Sequence, residues 1–70
     1  MRGFRYLVDS KTTRISETYA KARALSNEDA MKAFLASATY RALNEVETGL
    51  YLEVFEYVYD MFLEEKGEYV

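Results

Sequence analysis

The chain has 70 residues, half of them hydrophobic and 30% charged, which is the composition of one small globular domain, and it contains neither cysteine nor histidine. That excludes disulfides, every zinc spacing and any histidine-activated nucleophile, and leaves only oxygen-ligand metal sites open. Residues 1–25 carry six basic side chains against two acidic ones (+4), and residues 26–70 carry three against ten (−7), which together give the overall −3. Such a split marks either a nucleic-acid end and a partner end or two complementary halves of one fold.

In chain order, residues 1–8 (MRGFRYLV) admit two readings. Phe4, Tyr6 and Val8 alternate with Arg5 and Leu7 as in a short edge strand, yet Phe4, Val8, Ile15, Tyr19 and Ala22 also share a helical stripe, broken at Lys11 and Thr12. Asp9 or Ser10 is a fitting N-cap for a helix over residues 10–25. Residues 1–9 are therefore expected as an extended segment or a helix extension, ahead of a three-helix domain over residues 10–66. In the first helix Ile15, Tyr19 and Ala22 face inward, while Arg14 and Lys21 share the outer side.

Ser26 and Asp29 resemble a capping box, with Asp in place of Glu or Gln, and Glu28 and Asp29 suit the positive end of a helix dipole. They open a second helix predicted over residues 27–43, with an inner stripe of Ala30, Met31, Phe34, Leu35, Ala38 and Ala42. Its alanines favour helix and let another helix approach closely. Residues 44–49 (NEVETG) read as a turn of ordinary length between antiparallel helices.

Residues 50–63 (LYLEVFEYVYDMFL) are the most apolar and aromatic stretch. As a strand they would point Glu53 and Glu56 to opposite faces; as a helix, Glu53, Glu56, Asp60 and Glu64 fall within a wedge of about 80°. Opposite that wedge, Tyr51, Val54, Phe55, Val58 and Phe62 form an inner face. Two further apolar flanks remain, one of Leu52, Tyr59 and Leu63, the other of Leu50, Tyr57 and Met61. The helix is expected to stop near Lys66, with Gly67 in the left-handed position. The fold class is thus all-α, a small three-helix bundle with a short extended segment as one option for its N-terminus.

Chemistry-bearing patterns are sparse. Gly3, Gly49 and Gly67 stand too far apart for a phosphate-binding loop. Acids at i, i+3 and i+7 read as a solvated stripe rather than a Mg²⁺ or Ca²⁺ site, because hard cations usually recruit backbone carbonyls as well. No catalytic residue, metal or cofactor is expected. Arg2, Arg5 and Lys11 are the candidate nucleic-acid contacts: read as strand, helix, helix, residues 3–43 loosely resemble a ribbon-helix-helix repressor. Leu7 and Asp9 are poor base or phosphate readers there, and the net acidity opposes a DNA footprint.

A helix, then Leu25-Ser26-x-Glu28-Asp29-Ala30 opening a second helix, then Glu47-Thr48-Gly49-Leu50-Tyr51 opening an acidic, aromatic third, is similar to a family of short bacterial helical proteins of unknown function. The resemblance covers about residues 10–65 and leaves residues 1–8 outside. Members are often encoded near candidate toxins, which implies an interaction role or an antitoxin-like one and supplies no catalytic residues.

A domain this small buries only about 60% of its unfolded surface, and a single core of that size rarely supplies more than about 3–5 kcal/mol. Association is the most available further source of stability. Leu52, Tyr59 and Leu63 are the expected interface, meeting their symmetry mates in a two-fold homodimer with the acidic wedges outward; a second, different protein partner is also open. No apolar run reaches the roughly 20 residues of a membrane span, and no long apolar core follows the N-terminal arginines, so a cytoplasmic protein without a secretory signal is the default.

Overall fold

The computed structural model describes residues 2–68. Within them the chain is all-α, with helices α1 (Arg2–Arg23), α2 (Asn27–Leu35), α3 (Ala38–Leu43) and α4 (Phe55–Lys66), short 3-10 turns at Val46–Thr48 and Leu50–Leu52, and no strand.

Of the two readings of the N-terminus, helix holds from Arg2 onward, so the expected boundary at residue 9 falls inside α1. Asp9 and Ser10 are mid-helix residues and cap nothing at that point. The apparent break in the stripe closes because its polar members find partners. The Thr12 hydroxyl donates to Val8 O at 2.8 Å and the Ser16 hydroxyl to Thr12 O at 2.8 Å, so both side chains are buried with their hydrogen bonds made. Lys11 is half-buried and sends its Nζ to Tyr51 O at 2.9 Å.

Ser26 caps α2 as its spacing implies: its hydroxyl accepts from Asp29 N at 3.0 Å. The single helix expected over 27–43 is broken, however, at Ala36 and Ser37. One hydroxyl bridges the break: Ser37 Oγ donates to Phe34 O at 2.6 Å and accepts from Tyr40 N at 3.0 Å, ending one helix and capping the next.

The third predicted helix is broken as well. Residues 50–52 form a 3-10 turn, Glu53 and Val54 are extended, and α4 begins only at Phe55. In an unbroken helix Tyr51 O would accept from Phe55 N–H; here it accepts from Lys11 instead. This detour turns Leu50 into the core and sets the Tyr51 ring edge-on to Phe4, with centroids 4.8 Å apart. Gly67 ends α4 at φ 72, with Glu68 N bonded to Leu63 O at 2.9 Å.

The core is centred on Phe34 and Phe62, which meet edge-to-face at 5.1 Å, with Tyr19 against Phe62 at 4.9 Å. Val8, Ile15, Leu43 and Val58 are fully buried around them. Met31, Tyr51 and Phe55 are half-buried at its edge. Four expected core residues are exposed instead: Ala22, Leu35, Ala38 and Val54. Ala22 lies in the last turn of α1. Leu35 and Ala38 flank the break at Ser37, and Val54 occupies the extended N-cap position of α4.

Candidate interaction surfaces

The expected interface does not lie on one helix. Leu52 precedes the break and is 68% exposed, while Tyr59 and Leu63 are half-buried against the core. What the structure assembles at that flank is a seam between α1 and α4. Tyr59 stacks on Phe55 with centroids 5.3 Å apart and planes inclined by 13°, and the Arg14 guanidinium lies over Phe55 at 4.1 Å. Val54, two positions after Leu52, is 65% exposed as well. Sequence reasoning placed Val54 inside because it carried the helical period through the break.

Below this seam, Tyr19 donates its hydroxyl to Glu68 Oε1 at 2.8 Å, and Arg23 Nε lies 3.6 Å from the same oxygen. Burial, then the hydrogen bond to Glu68 and its negative charge, push the Tyr19 pKa up from its ordinary value. Tyr59 is raised too, by burial first and by the Glu68 charge second.

Two of the three residues singled out for nucleic acid, Arg5 and Lys11, have partners within the fold. The strand on which that expectation rests is helical through residues 4–8. Arg5 is engaged by Asp9 at 3.1 Å and donates to Asn44 Oδ1 at 2.9 Å, and Lys11 is committed to Tyr51 O. Arg2 opens α1, but its side chain lies outside the described residues.

On the other flank of α4 the structure forms a groove with α3 that the sequence reading did not single out. It is shallow, encloses about 510 Å³ and is lined by Ala38, Thr39, Ala42, Met61, Glu64 and Glu65. Tyr57 and Asp60 adjoin it through Met61 and Glu64. Its signals were present as separate clues: the alanine-rich second helix and the unused Leu50, Tyr57, Met61 flank. The break at Ser37, which sets the direction of α3, was the missing piece.

Glu65 fixes the geometry of this groove. Its carboxylate accepts from Ala38 N at 2.7 Å, Thr39 N at 2.9 Å and Thr39 Oγ1 at 2.8 Å, capping α3 from a helix far along the chain. Partial desolvation raises the Glu65 pKa, but the Ala38 and Thr39 hydrogen bonds and nearby Arg41 outweigh it and hold the carboxyl below its usual range. Among the described residues, no three acidic groups come together as a metal-ion site. Nor is any helix there long and apolar enough to cross a membrane.

No family model, curated protein or solved structure matches this chain.

Proposed function

We propose that this chain is a non-catalytic protein-interaction module whose first partner is a second copy of itself. The observations that carry this reading are the exposure of Leu52 and Val54 on the link before α4 and, directly after it in the chain, the layered Arg14, Phe55 and Tyr59 of the α1–α4 seam. Covering each large apolar side chain is worth about 1.5–3 kcal/mol, a substantial gain for a core this small.

A two-fold arrangement, the commonest closed assembly, lets one self-complementary patch serve both copies. The interface moves from the stripe expected from sequence to Leu52, Val54, Phe55 and Tyr59, with Leu63 at its margin. Such a role accords with what the resemblance to short bacterial helical proteins implies.

Sedimentation velocity at about 100 μM tests it, since that concentration populates any dimer worth more than roughly 5–6 kcal/mol. The wild type is expected at twice the monomer mass, and Leu52→Glu and Val54→Glu at monomer mass with helical circular dichroism unchanged. Both positions are exposed, so neither change threatens the core. A wild type that is monomeric under these conditions refutes the reading.

A further inference from the structure

We infer that residues 50–54 are a two-position switch: α1 holds them in the broken path described above, and on release from α1 they continue α4 back to Leu50 as one helix. Nothing local ends α4 at Phe55. Its N-cap is Val54, among the poorest residues for that place, and no side chain caps its first turn. Residues 50–66 contain neither glycine nor proline to stop a longer helix. Residues 50–52 already turn as a 3-10 helix, with Leu52 N bonded to Gly49 O and Glu53 N to Leu50 O, both at 3.0 Å. Glu53 and Val54 have φ angles of -78° and -69°, inside the helical range, and only their ψ angles, 159° and 156°, are extended. Turning two ψ angles therefore joins the segments.

What holds the break comes from α1. Lys11 Nζ donates to Tyr51 O at 2.9 Å, and that oxygen is the one Phe55 N–H would use in a continuous helix. One lysine thus occupies the carbonyl for which the two forms compete. Phe4 adds a second tie through its edge-on contact with the Tyr51 ring, and the burial of Leu50 a third. The two settings present different apolar surfaces. In the broken one Leu52 and Val54 both stand outward. In the helical one Leu52 lines up with Tyr59 and Leu63 along one stripe, and Val54 falls one turn before the buried Val58. The switch thereby decides whether Val54 belongs to the exposed patch, and its trigger is loss of the Lys11 and Phe4 contacts. Its consequence for self-association rests on the proposed dimer patch, whereas the backbone change does not.

NMR of the isotope-labelled full-length protein tests this. Lys11→Met keeps the apolar stem and deletes the donor, and losing a bond to a charged donor favours the helical setting by about tenfold or more. Relative to wild type, the Glu53 and Val54 Cα shifts are expected to move to the helical side, and Phe55 amide exchange to slow by about threefold or more. Phe4→Leu loosens the second tie and should move both reporters the same way, to a smaller extent. Adding Val54→Ser to Lys11→Met supplies a local cap for α4 without adding charge, and should return both reporters towards wild type. Sedimentation of the same samples reports association separately. A monomeric wild type whose link still turns helical in Lys11→Met removes the dimer and supports the switch. Unchanged shifts and exchange in both Lys11→Met and Phe4→Leu overturn the inference, as does a helical change that Val54→Ser fails to reverse.

Discussion

Removing the Glu65 carboxylate should destabilise this fold more than any other surface substitution, because α3 depends on it. α3 has six residues, too few to stand as a helix without outside help. Its first turn receives Ser37 on Tyr40 N and Glu65 on Ala38 N, Thr39 N and Thr39 Oγ1. In Glu65→Ala, water can reach the exposed Ala38 N–H. Thr39, only 3% exposed, is left with an unpaired amide and hydroxyl. The loss of a side-chain cap costs about 0.5–2 kcal/mol, and the orphaned Thr39 groups bring the expected total to about 2–3 kcal/mol after allowance for water around the outer oxygen. In a domain of this size that lowers Tm by roughly 8–20 °C. Glu65→Gln keeps one acceptor and loses the charge, so it should fall about midway. The pH dependence has a definite sign. A carboxyl held below its usual range contributes stability that is complete above the unfolded-state value near 4.5 and is lost as pH falls through the lower folded value. Thermal melts of wild type and Glu65→Gln should therefore converge as the pH drops from about 5 towards 3. If Glu65→Ala melts within two degrees of wild type at neutral pH, the cap is not holding α3.

Three further outcomes follow from the same structure. Ala24 sits at φ 56, a left-handed conformation that costs an alanine about 1 kcal/mol more than a glycine, so Ala24→Gly should stabilise by about 0.5–1 kcal/mol and raise Tm by roughly 3–6 °C; an unchanged or lower Tm would rule this out. Tyr19→Phe keeps the ring in the core and deletes the bond to Glu68, which should cost about 0.5–1.5 kcal/mol at neutral pH by thermal melt. The raised pKa values of Tyr19 and Tyr59 stabilise the fold below the ordinary tyrosine value of 10.0 and cease to do so as pH climbs through the folded values. Stability should accordingly fall in strong alkali, less steeply in Tyr19→Phe and Tyr59→Phe; alkaline melting profiles that match the wild type would contradict the assignment.

Local signals in this sequence translate directly into structure, and long-range ones do not. Ser26 caps α2 and Gly67 ends α4 because each device acts within a few residues of itself. Phe34, Val58 and Phe62 are buried because each lies on the apolar stripe of its own helix, where the period is clear. The errors cluster where one helix was drawn through a break. Leu35 and Ala38 straddle Ser37, and Val54 lies on the extended link before α4. Carrying the period across such a point misassigns the residues at the break itself. Ser37 itself was readable as a cap, but alanine on either side made a continuous helix the better local choice. The partner that stabilises the break, Glu65, comes 28 positions later and leaves no trace in the pattern around Ser37. The N-terminal segment stayed open between helix and extended chain for a related reason. Thr12 and Ser16 look polar in sequence, yet inside a helix each hydroxyl returns to the carbonyl four residues back and becomes compatible with burial.

Those long-range bonds also show how a domain without disulfides or metals holds its ends together. Among the bonds that cross the fold from helix to helix or loop are four that span long stretches of chain: Arg5 to Asn44, Lys11 to Tyr51, Tyr19 to Glu68 and Glu65 to Thr39. Each closes a chain segment of between 26 and 49 residues, the service a cross-link performs in small secreted domains. Three of the four start or finish on a terminal helix turn or its flanking residue, where backbone groups lack partners of their own. The clamps bear on the α1 side and on the α3 cap, and none engages Leu52, Val54 or Tyr57. The apolar side chains left outward are thus not needed to close the monomer. That is why charge can be placed at Leu52 or Val54 with the fold intact, and why an effect of such a change on mass would report association rather than unfolding.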